Sequence, residues 1–75
     1  MPELQKVSGE EAIQALARIG FSKVRQRGSH VMLKKQTAEG EFGCVVPLHR
    51  ELKIGTLKGI LKQAKVSPEE FMANL

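Results

Sequence analysis

Apolar side chains recur along this chain with two different periods, and the alternation between them outlines the elements. Ala12, Ile13, Leu16 and Ala17 follow a helical spacing. Ser8 followed by Glu11 forms a capping box, Val7 and Ala12 stand as a hydrophobic staple, and Gly20 occupies the place of a left-handed C-terminal cap. A helix from Gly9 to Ile19 is predicted, with an apolar stripe that needs a sheet to cover it. The period then drops to two. Ser22 to Arg27 and His30 to Lys35 read as strands joined by Gly28-Ser29, a pair suited to a two-residue type II′ turn.

A turn that tight sets Arg27 opposite His30, Gln26 opposite Val31, Arg25 opposite Met32 and Val24 opposite Leu33. Alternation then puts Val24, Val31 and Leu33 on a core face and Lys23, Arg25, Arg27, His30, Met32 and Lys34 on the other. A polar loop, Gln36 to Glu41, leads to a third strand, Phe42 to Val46. Its Phe42, Cys44 and Val46 match Lys35, Leu33 and Val31 if no bulge intervenes. The same parity sets Pro47 opposite His30 and aims His49 at the outer face near Gly28. Leu57, Ile60, Leu61 and Ala64 mark a second amphipathic helix from about Gly55, with Lys58, Lys62 and Lys65 on its wet side. Ser67, Pro68 and Glu70, with Val66 and Phe71 as staple, start a short third helix. The order gives an α+β fold: helix, three-stranded antiparallel sheet, helix, short C-terminal helix. Leu57, Ile60 and Leu61 are expected to pack with Ile13, Leu16, Val24, Val31 and Leu33.

Composition narrows the function classes. Seventy-five residues read as one domain, 1–75, able to bury only about 60% of its unfolded surface. No window approaches a membrane span, and no continuous apolar segment opens the chain, so a cytoplasmic protein is expected. The single cysteine allows no internal disulfide. The net charge is +4, and its placement says more than its size. From residue 12 to residue 38 there is no acidic side chain, while Arg18, Lys23, Arg25, Arg27, Lys34 and Lys35 are basic. Such a field suits an anionic partner such as RNA, although lysines and arginines also keep a small sheet soluble.

The chemical inventory is short. The chain has no aspartate, and its eight acidic residues are glutamates placed mostly at helix starts and in loops. It therefore lacks the clustered carboxylates of two-metal nucleases, and no metal or other cofactor is expected. No Gly-rich phosphate loop or dinucleotide fingerprint appears. Cys44 falls on the inferred core face, where a free cysteine packs as a small hydrophobe. His30 stands among cations, and imidazole is the side chain best matched to proton transfer at neutral pH. RNA carries its own nucleophile, the 2′-hydroxyl, so a general base and a few positive groups suffice to cleave it. On these grounds alone His30 is either that base or an exposed strand residue after a turn. Lys58, Lys62 and Lys65 form a ridge that tracks phosphates or is simply a solvated helix face.

Phe21, Arg25-Gln-Arg-Gly-Ser-His30, Val46-Pro-Leu-His49, Glu51-Leu-Lys-Ile-Gly-Thr-Leu57 and Ile60-Leu-Lys-Gln-Ala64, in this order, resemble the HicA, or YcfA-like, toxins over residues 8 to 71. The resemblance implies a fold like a double-stranded-RNA-binding domain, cleavage of messenger RNA, and neutralisation by a HicB-type antitoxin. It implies that His30 is catalytic. Arg25, Arg27, Gly28, Ser29, Lys34, His49 and Lys58 are the candidate substrate-binding residues. His49 is open to three roles: orienting substrate, a second acid-base group, or capping the third strand. The rival reading is a non-catalytic RNA-binding module that uses the same basic sheet face.

Overall fold

The computed structural model describes residues 4–75; residues 1–3, part of the single-domain reading, lie outside it. The first helix, α1, runs Gly9–Ile19 and begins where its cap is built. Ser8 Oγ accepts from the Glu11 amide at 3.0 Å, and the Glu11 carboxylate accepts from the Ser8 amide at 2.9 Å, so two donors left over by the helix start are satisfied together. The staple forms, with Val7 and Ala12 both buried. At the other end Gly20 adopts φ +120 and donates to Leu16 and Ala17 carbonyls. The buried stripe is turned slightly from the expected one: Ala12, Ala15 and Leu16 are fully buried, Ile13 is half-buried and Ala17 is exposed.

Three antiparallel strands follow in the order β1-β2-β3: β1 Ser22–Arg27, β2 His30–Thr37 and β3 Gly40–Pro47. Gly28 has φ +59 and Ser29 does not share the positive sign, which fits the type II′ turn. The pairs Arg27↔His30, Gln26↔Val31 and Arg25↔Met32 are those expected. Beyond them a bulge between Lys23 and Arg25 shifts the register, so that Lys23, not Val24, faces Leu33. Two expectations are thereby corrected. Val24 is 52% exposed and outside the core, and Lys23 leaves the outer basic face for the parity of Leu33, where its ammonium donates to Gln26 Oε1 at 2.7 Å. The extra residue of a bulge breaks the two-residue alternation on which the assignment rested. All six residues of β1 are exposed.

The β2–β3 connection is shorter than the expected six-residue loop. Pairing continues to Gln36↔Glu41 and Thr37↔Gly40, leaving only Ala38 and Glu39 in the turn. Thr37 Oγ1 donates to the Gly40 carbonyl and accepts from the Glu39 amide, and Gly40 takes φ +125. Side chains at an exposed hairpin tip carry no apolar period, so the sequence does not distinguish these polar strand ends from a loop. The register itself is as expected, with Lys35↔Phe42, Leu33↔Cys44, Val31↔Val46 and His30↔Pro47.

The second helix, α2, spans Ile54–Ala64 and buries Leu57, Ile60, Leu61 and Ala64; the third, α3, spans Pro68–Ala73 and buries Phe71. Lys65 closes α2 in the left-handed conformation with φ 59, a place that more often holds glycine. Both longer helices pack on β3, against the face that carries Val31, Leu33, Cys44 and Val46. Leu52, in the segment before α2, is fully buried and completes the core. Its amide donates to the Val7 carbonyl at 2.7 Å. Among the described residues the other face of the sheet carries no helix, and Met32 and Val45 lie on it 36% and 37% exposed.

Candidate nucleic-acid interface

The open sheet face is where the hairpin presents its cations. His30 is the first residue of β2, exposed, with Arg27 paired on one side and Pro47 on the other. Two residues on, Met32 sits between Arg25 and Val45; two further, Lys34 sits between Ser22 and Gly43. Strand alternation thus aligns His30, Met32 and Lys34 on one face and adds Arg25 and Arg27 from β1. Among the described residues Arg25 and Arg27 have no carboxylate within ion-pair distance, whereas Lys34 Nζ lies 3.2 Å from the Glu41 carboxylate. Gly28 and Ser29 form the turn beside His30, braced by the Gln26 side-chain amide donating to the Gly28 carbonyl at 3.1 Å and by Leu48 donating to the Ser29 carbonyl at 2.7 Å.

His49 belongs to different surroundings. Pairing with β2 ends at Pro47, so strand parity does not extend to His49. Its carbonyl accepts from the Gly9 amide at 2.9 Å, and its side chain lines a depression with Ser8, Glu10, Leu48 and Arg50. Gly9 makes this approach possible: a Cβ there would run into the Pro47 carbonyl oxygen and lie 2.9 Å from Leu48 Cα. Arg50, adjacent to His49, and Glu10 were not singled out from the sequence; their position next to a histidine and in a capped first turn was the available signal. Lys58 is exposed on α2, in the helical layer, and so is not on the sheet face that carries His30.

The structure brings together Arg25, Arg27, Gly28, Ser29, His30 and Lys34; His49 follows Leu48, whose amide bonds to Ser29, and Lys58 lies on α2. Cys44 is buried, and burial pushes its thiol up to about 11, so it is held protonated in the core. Lys35 turns to the helical side, its ammonium 6.0 Å from the centre of the Phe21 ring. Among the described residues no three histidine, cysteine or acidic side chains gather as a metal site would require. Nor is any described helix long and apolar enough to cross a membrane.

No curated protein matches the chain in a sequence comparison. The family model described as the HicA toxin of bacterial toxin-antitoxin systems matches residues 9–66 of the 75. That span begins with α1, takes in the whole sheet with His30, and ends just after α2. The chain therefore belongs to the HicA family, toxins of bacterial toxin-antitoxin systems.

Proposed function

We propose that the toxin is a metal-independent endoribonuclease acting on messenger RNA in the cytoplasm, with His30 as general base. The observation that carries this reading is the place of His30: exposed at the start of β2, paired with Arg27, on a face whose arginines lack acidic partners among the described residues. In the proposed reaction the His30 imidazole takes the proton of a 2′-hydroxyl. The freed oxygen attacks the adjacent phosphorus, the bond to the 5′-oxygen breaks, that oxygen leaves with a proton from water, and the protonated His30 returns its proton to the hydroxide left behind. The products are a 2′,3′-cyclic phosphate and a 5′-hydroxyl. Arg25 and Arg27 offset the charge that builds on the phosphorane. The Gly28-Ser29 turn, having little side-chain bulk, lets the RNA backbone approach. Lys34 extends the positive track, while His49, just beyond β3, and Lys58, on α2, contact RNA from outside the hairpin.

The partner in this reading is a HicB-type antitoxin with an acidic surface, covering the basic face and burying His30. One contact then blocks access and neutralises the field, and the complex weakens with salt. A crosslinking footprint confined to the helical side would refute direct occlusion.

The activity is tested by incubating the purified protein with labelled RNA in EDTA. Cleavage is expected from the wild type and its loss, by about a hundred to ten thousand-fold in rate, from His30→Ala, with folding and RNA affinity retained. Tight binding without cleavage at high protein concentration would favour the non-catalytic RNA-binding module instead.

A further inference from the structure

β3 is the outer strand of the sheet on the side away from β1, and between its edge and the C-terminal end of α2 runs an open groove of about 420 Å³. Gly43, paired with Lys34, contributes no side chain and leaves the groove open there. One wall is apolar: Met32 and Val45, paired across β2 and β3 and each more than a third exposed. The other is cationic. Lys62 lies in the last turn of α2 and Lys65 is its left-handed cap, and neither has a carboxylate within ion-pair distance among the described residues. Lys34 adds a third positive charge, shared with Glu41, and the lining includes no acidic residue.

Two lysines at a helix C-terminus favour the helix dipole, and that alone accounts for their sign. It does not account for the half-exposed Met32–Val45 pair beside them. An apolar platform next to free cations suits a flat base joined to a phosphate: single strands are held in basic grooves beside surfaces that take the base face, and here an aliphatic pair stands where aromatic side chains usually do. Met32 and Lys34, which follow His30 on the same side of β2, reach the groove from the open face, while Lys62 and Lys65 reach it from the helical side across the edge of β3. Four residues of strand span about 13 Å. A stacked single strand covers this with about four nucleotides, at roughly 3.4 Å each.

We propose that this groove is a second RNA subsite: it holds a phosphodiester on Lys62 and Lys65, beyond the roughly four nucleotides that separate the bond cut at His30 from the groove's near end at Lys34, with an intervening base resting on Met32 and Val45. The subsite rests on the ribonuclease reading, but its occupancy by RNA is measurable without cleavage. The toxin would thus select single-stranded stretches long enough to span both places.

The test uses the full chain and two substrates. A labelled, uncleavable 2′-O-methyl octanucleotide reports binding by fluorescence anisotropy, and a series of oligoribonucleotides lengthened one nucleotide at a time on either side of the cut reports KM and kcat. The Lys62→Gln/Lys65→Gln variant is expected to bind the octanucleotide about tenfold more weakly, and the slope of log affinity against log salt should fall by about 0.7, as for one lost phosphate contact on a single strand. In the series, KM should drop once the strand passes about four nucleotides on one side, and the variant should lose this drop with kcat on the shortest substrate unchanged. Met32→Ala should weaken the octanucleotide as much as an abasic nucleotide at the intervening position does. An unchanged salt slope, or a loss equal on short and long substrates, would overturn the subsite. A poly-glutamate peptide that binds through the same two lysines more tightly than the octanucleotide would overturn it too, in favour of a protein-docking groove. Absence of cleavage by the wild type, with lysine-dependent binding of the octanucleotide intact, would sink the ribonuclease reading and leave the groove as an RNA site.

Discussion

Replacing Gly9 by alanine separates two opposing effects whose balance the structure decides. At the first residue of α1, alanine is the better helix former, by up to about 1 kcal/mol at an interior position and less at a helix end. The position is buried, however, and the added Cβ would collide with the Pro47 carbonyl oxygen and sit 2.9 Å from Leu48 Cα and 3.0 Å from the Pro47 carbonyl carbon. All three are backbone atoms at the end of β3, so no side chain can swing aside. The helix start and the strand end must part, stretching the bond from the Gly9 amide to the His49 carbonyl, 2.9 Å long in the native chain. Overpacking of this kind costs about 1–3 kcal/mol. Set against the propensity gain, the net loss is about 1–2 kcal/mol, and about 4–8 °C in Tm per kcal/mol for a domain of this size. Denaturant titration and thermal melting followed by circular dichroism measure it. A Tm equal to or above that of the wild type would refute the reasoning, since the propensity term would then have won.

Three further outcomes follow from burial. Leu61→Ala, in the fully packed face of α2, should cost about 2–5 kcal/mol, and an unchanged denaturation midpoint would mean that the helix presents another face to the sheet. Val24→Thr should change stability by less than about 0.5 kcal/mol because the bulge leaves the side chain in solvent; a loss above 1 kcal/mol would place Val24 back in the core. Cys44 has a thiol raised from 9.0 to about 11 by burial, so as pH rises from 9 the unfolded chain loses that proton before the folded one does. Its contribution is complete below pH 9 and lost on passing 11, with a slope of at most about 1.4 kcal/mol per pH unit. The stability of wild type relative to Cys44→Ala should fall across that window; a pH-independent difference would contradict a buried thiol.

Local signals written in neighbouring residues were legible in the sequence. The Ser8–Glu11 box, the Gly28-Ser29 turn and the Leu57–Ala64 period each specify their element through contacts a few residues apart, and each element begins or turns as they indicate. The β2–β3 register was legible as well, because Val31 and Leu33 must share a face with Cys44 and Val46 for the core to close. The bulge at Val24 was not, because β1 is exposed along its length and no apolar alternation reports its parity. Nor were the roles of Leu52 and Gly9, which depend on segments roughly forty residues apart meeting at the end of β3. For the candidate site, hairpin parity sufficed to align His30 with Arg25 and Arg27. His49 lies beyond the last strand pair, so its surroundings at the start of α1 follow from the tertiary path alone.

The central claim is that His30 draws the proton from a 2′-hydroxyl, and it is tested most directly by the ends of the cut RNA. An oligoribonucleotide carrying a single 2′-deoxy substitution on the 5′ side of the cut should resist cleavage at that bond, and unmodified RNA should yield a 2′,3′-cyclic phosphate and a 5′-hydroxyl, both read by mass spectrometry. A 5′-phosphate product, or equal cleavage of the deoxy substrate, would contradict the account, because water would then be the attacking nucleophile.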